Sequence, residues 1–158
     1  MDIPALERRY RSWRGSRGNR LPSAAYPAGQ PVHVSFATAH RIPLFAEPAF
    51  AEPVFETVRD HPLGLAACLM PDHAHWLLSD AASMIPAVQR FKSWTTRLLR
   101  QAGVEGRVWQ RSFHDRVIRS DEDLLEVARY IVANPVRAGL VECVEDYPIQ
   151  VVHPERFP

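Results

Sequence analysis

The chain has 158 residues, 46% of them hydrophobic and 23% charged, which suits one globular domain with a sizeable core and excludes a disordered or fibrous protein. Its net charge is only +1, yet Arg8, Arg9, Arg11, Arg14, Arg17 and Arg20 crowd a segment with no acid after Glu7. That pattern suits an arm that neutralises phosphates, or equally a solvated tail. Cys68 and Cys143 stand far apart in no metal-ligand spacing, as expected of free thiols in a reducing compartment. No apolar stretch is long enough for a membrane span or a secretory signal, so the expected location is cytoplasmic, without membrane.

In chain order, residues 1–30 read as the arginine-rich arm and a Pro-bounded linker. Val32 to Thr38 alternates as a half-buried strand. Pro48 to Asp60 has helical spacing, with Phe50, Val54, Phe55 and Val58 on one side. Leu63 to Met70 is apolar almost throughout and predicts a central strand, Pro71-Asp72 a tight turn, and His73 to Ser79 its hairpin partner. Ser83 to Ala102 repeats apolar residues every three or four positions and ends at Gly103. A fourth strand is expected within Arg107 to Ile118. A last helix is expected to start at Ser120-Asp121-Glu122-Asp123, capped by the serine, and to stop at Asn134-Pro135. The segment from Pro148 reads as strand-like or irregular. This order predicts an α+β fold, a ferredoxin-like βαββαβ antiparallel sheet with an appended C-terminal helix, spanning residues 31–145 and followed by a tail over 146–158.

His73-Ala74-His75 carries the most chemistry. Residues two apart on a strand share a face, so two imidazoles stand side by side while Ala74, Trp76 and Leu78 point the other way. Two neutral imidazoles lack only an oxygen to form a divalent-metal site. On the last helix Tyr130 and Asn134 are four apart and share one flank, where Asn134 would supply that oxygen and Tyr130 a nucleophile. A bound Mg²⁺ or Mn²⁺ would polarise a phosphodiester. Taken singly, each piece has a structural reading: a hydrogen-bonded histidine pair, a core tyrosine and a helix-ending Asn-Pro.

The run Met70-Pro71-Asp72-His73-Ala74-His75-Trp76-Leu77-Leu78 resembles the HUH motif of the single-tyrosine insertion-sequence transposases. Three further runs resemble the REP-associated tyrosine transposases: Phe91-Lys92-Ser93, Val108-Trp109-Gln110-Arg111-Ser112-Phe113 and the segment from Tyr130-Ile131-Val132-Ala133-Asn134-Pro135 to Val141. The resemblance covers roughly residues 31 to 145. It implies a metal-dependent enzyme that cuts and rejoins single-stranded or hairpin DNA through a 5′-phosphotyrosine link. Tyr130 falls on the nucleophile, His73 and His75 on the metal ligands, and Asn134 on the third ligand.

The match at Phe91-Lys92 implies a phosphate contact for Lys92, against a snorkelling role in an apolar stripe, and Arg119 and Arg137 are further candidates to grip backbone phosphates. Trp109 reads as a packed residue or, more sharply, as a base-stacking platform. His114 stands where the family often has an aromatic, which leaves it as a group behind the ligands. Two other functions stay open. One is a hairpin-binding regulatory module that has lost cleavage; the other is a structural metal domain, which would need a fourth ligand that the sequence does not offer. The sequence does not choose between a monomer and a homodimer.

Overall fold

The structure, a computed structural model, describes residues 25–119 and 123–157. The arginine-rich segment therefore lies outside the described residues. The strands are β1 (Val32–Ala37), β2 (Gly64–Met70), β3 (His73–Leu78), β4 (His114–Val117) and β5 (Gln150–Val152). The helices are α1 (Pro48–Arg59), α2 (Met84–Gln101), α3 (Leu124–Val132) and the single turn α4 (Asn134–Arg137). The strands form one antiparallel sheet in the order β4-β1-β3-β2-β5.

The pleat sorts the side chains into two cores. Val34, Phe36, Leu69, Ala74, Trp76 and Leu78 face α1 and α2 and pack with Val54, Phe55, Val88 and Phe91. On the opposite face Leu65, Cys68, Met70 and Leu77 meet Val127, Ala128 and Ile131 of α3. Every residue of β2 is buried, because helices cover both its faces, and this is why its sequence is apolar without alternation.

One expectation needs correction. The cap of α3 is Asp123, whose carboxylate accepts from the backbone N–H groups of Leu125 and Glu126; Ser120 lies outside the described residues. Helix α3 does end just before Asn134-Pro135, as expected, and a separate turn follows. Pro135 occupies the first turn of α4, where its missing N–H costs little, and the chain leaves that turn through Gly139 at φ +70°. The segment from Pro148 takes the strand-like of its two expected forms. Strand β5 pairs with β2, and the Tyr147 hydroxyl donates to the Leu69 carbonyl at 2.7 Å. Likewise the linker-like stretch before β1 is anchored by buried Tyr26, whose hydroxyl donates to Asp115 at 2.7 Å.

Candidate active site

The register puts the two histidines on the sheet face that α3 covers. His75 stands opposite Cys68 and His73 opposite Met70, and both of those partners belong to the core beneath α3. Across the other edge of β3, His75 faces Ser35. The rings of His73 and His75 lie 5.0 Å apart, nearly perpendicular.

Each ring is oriented through Nδ1. His73 Nδ1 lies 2.5 Å from an Asp72 carboxylate oxygen, and the other Asp72 oxygen accepts from Arg41 at 3.2 Å. His75 Nδ1 lies 3.0 Å from Nε2 of His33, a fully buried residue of β1. With Nδ1 engaged, Nε2 of both rings is left to meet a ligand. Burial holds His73 and His75 below the usual histidine value; at His73 the Asp72 carboxylate opposes the fall in part, and at His75, held well below, the neighbouring His33, His73, Arg137 and Arg41 add to it. Both rings are therefore neutral at pH 7, the state that binds metal. Burial, and secondarily Arg116, lowers His33 to about 3.

Sequence reasoning passed over His33, Asp72 and Arg41. Strand alternation does put His33 on the same face as Ser35, but only the β1–β3 register reveals its ring against His75. Asp72 was visible as a turn residue, and its adjacency to His73 was the available signal. Arg41 owes its place to backbone strain: His40 and Arg41 both have φ of +57°, outside the range comfortable for L-residues.

Tyr130 is half-buried on α3. The Arg137 guanidinium lies 4.3 Å from its ring centroid and contacts Asn134 Oδ1 at 3.4 Å. The same cation depresses the basicity of His75, so Arg137 links the α3–α4 junction electrically to the histidine row. Asn134 spends its amide N–H₂ on the carbonyls of Ile131 and Tyr130, at 2.9 and 3.2 Å, near the point where Pro135 has no N–H to give. That fixes the amide, leaving Oδ1 as its acceptor. Among the described residues no three His, Cys, Asp or Glu side chains gather to hold a metal.

The remaining candidates fall elsewhere. Lys92 donates to the carbonyls of Gln110 and Ser112 at 3.0 and 3.1 Å, with its ammonium over Phe36 and Phe113. It tethers the 110–112 segment to α2. Trp109 is buried among Phe36, Phe45 and Phe91 and donates Nε1–H to Thr95 at 3.0 Å, so the base-stacking reading is overturned. Arg119 is exposed just beyond β4, and His114 lines a small cleft together with His73, Arg41 and Gln110.

No family model matches the chain. A Haemophilus influenzae protein described provisionally as a REP-associated tyrosine transposase is 35% identical over 112 residues, 63% of this chain and 60% of that protein. The REP-associated tyrosine transposase of Escherichia coli is 27% identical over 103 residues, again 63% of this chain and 61% of its own length. The chain thus spans about 60% of the length of these curated relatives. A solved structure of a REP-associated tyrosine transposase bound to a REP hairpin shares the fold, with a TM-score of 0.64 at 24% identity over 86% of this chain and 82% of that one. By these matches the chain is similar to REP-associated tyrosine transposases over about 60% of their length.

Proposed function

We propose that this chain cuts and rejoins single-stranded or hairpin DNA, with Tyr130 as nucleophile and a divalent cation held by His73, His75 and Asn134. The observation that carries the reading is the placement of His73 and His75 on the sheet face packed by the tyrosine helix, with Arg137 contacting Tyr130 and Asn134 and acting on His75. The transposase names of the relatives and the hairpin in the DNA-bound neighbour support it. The β4-β1-β3-β2 portion of the sheet is read as the ferredoxin-like unit of this family.

In this reading the Tyr130 oxygen attacks the scissile phosphorus, the P–O3′ bond breaks, and the phenolic proton ends on the departing 3′ oxygen. The 5′ phosphate stays on the tyrosine, and a later attack by a 3′-hydroxyl reverses the step. A bound cation supplies charge for the phosphate oxygens. Two imidazole nitrogens suit Mn²⁺ better than Mg²⁺, which favours oxygen donors. Asp72 and His33 keep Nε2 of the two ligands presented, and Asn134 offers Oδ1. Arg137, on the face of the Tyr130 ring, supplies a cation to the phosphate under attack. Arg119 adds an exposed backbone contact.

The test is a hairpin oligonucleotide labelled at its 3′ end, incubated with the protein and Mn²⁺ or Mg²⁺. A denaturant-resistant protein–DNA adduct is expected, absent in Tyr130→Phe and after chelation. An adduct that survives Tyr130→Phe would exclude this nucleophile. Hairpin retention with no adduct would instead identify a regulatory hairpin-binding module.

A further inference from the structure

We infer that a groove between α2 and the segment 107–111 is the track for the phosphate backbone of the DNA strand, leading it to the histidine row. The inference rests on the DNA-processing reading above and adds a location to it. The groove encloses about 620 Å³, and its rim carries Arg97 and Arg100 from α2, Arg107 and Arg111 from the opposite wall, and Lys92 between them. None of its lining residues is acidic. Five cations without an acid are a marked local excess in a chain whose total charge is +1.

All four arginines are exposed, and none makes an ion pair or side-chain hydrogen bond with the described residues. Lone exposed arginines are ordinary; four converging on one concavity repel one another, which disfavours the arrangement unless a polyanion occupies it. The groove is also held in shape. Lys92 ties its two walls together through the Gln110 and Ser112 carbonyls, and the Trp109–Thr95 hydrogen bond pins the floor to α2. Rigid walls keep the elements that carry the charges in place along the groove, which suits an extended chain of phosphates more than a single free anion.

Continuity points the same way. Gln110 lines both this groove and the small cleft of His73, Arg41 and His114, so a strand lying in the groove passes over Gln110 to reach the ligand histidines. Contacts of this kind grip any sequence and leave discrimination to other parts of the surface.

The experiment is fluorescence anisotropy of the full-length protein with a labelled hairpin oligonucleotide bearing a single-stranded flank, in chelator, across about 50 to 200 mM salt. Replacing Arg97, Arg100, Arg107 and Arg111 by Gln should reduce the slope of log affinity against log salt by about three units, at ~0.7 per lost single-strand phosphate contact. The Arg→Lys set should restore most of the slope, and the melting temperature should not fall in either. The pair Arg97→Gln and Arg100→Gln alone should account for about half of the change. An unchanged slope in a folded variant overturns the inference, as does a wild-type protein that shows no salt-dependent binding. Adduct formation on Tyr130 is scored separately. An adduct with an unchanged slope sinks the groove and keeps the nuclease; a reduced slope with no adduct does the reverse.

Discussion

Asp72 and His33 act on the proposed ligands by different means, and substitution should separate them. Asp72 is partly exposed and its carboxylate orients His73, so Asp72→Asn should leave the melting temperature nearly unchanged. It should weaken Mn²⁺ binding, followed by calorimetry, about 10- to 100-fold, the usual cost of losing a carboxylate behind a histidine ligand. Equal Mn²⁺ affinity in the two proteins would remove Asp72 from the site. Asn134→Ala should act on both scales. It strips the Ile131 and Tyr130 carbonyls of their side-chain donor, costing about 1–2 kcal/mol in urea denaturation, and it removes the proposed oxygen ligand. The cysteines give a sharper count. Burial pushes the Cys68 thiol up to about 12, whereas Cys143 is exposed, so a thiol reagent should modify one of the two in the native protein and both after unfolding.

At the level of elements, the pieces readable in the sequence are those whose cause is local. The i, i+2 histidines and the apolar run of β2 follow from period and burial, and the helices from their three- and four-residue spacing. What escaped depends on chain-distant partners. His33 gains meaning only from register with β3, and Lys92 only from the return of residues 110–112 across α2. Strand β5 is three residues long, too short to declare a period, and exists because the edge of β2 needs hydrogen bonds. At the α3–α4 junction Asn134-Pro135 ends α3 as its sequence implies, while the use of the asparagine amide on the Ile131 carbonyl was not legible there. Lys92 gives a test at this scale. Lys92→Met keeps the stem against Phe36 and Phe113 but drops two hydrogen bonds from a charged donor, so urea denaturation should show a loss of about 2 kcal/mol. A loss near zero would mean that Trp109 alone holds the 107–112 segment.

The molecule as a whole covers its sheet on both faces, and that geometry leaves the histidine row neutral, with His33 fully buried and His73 and His75 partly so. His33, His75 and His73 all sit below their ordinary value in the folded state, burial being the first cause in each. The unfolded chain takes up protons on these rings as pH falls through about 6.5, while the folded chain does not. Stability is therefore fully present above that value and drains away as pH falls toward the folded value of His33, about 3. Each proton taken up only by the unfolded state contributes a slope of about 1.4 kcal/mol per pH unit. The clean window lies between about pH 6.5 and 4.5, above the range in which Asp72, itself held below its usual value of 3.8, begins to protonate. Urea denaturation in chelator across that window should show the unfolding free energy falling with pH and flat above it. His33→Gln should remove about one proton's share of the slope, because this buried ring, facing Arg116 and His75, is held down to about 3. Saturating Mn²⁺ should steepen the fall, since protons and cation compete for the same nitrogens. A flat profile down to pH 4.5 in the metal-free protein would mean that the row hydrates or opens before it unfolds, and the rigid, dry presentation of Nε2 on which the proposed cation site depends would go with it.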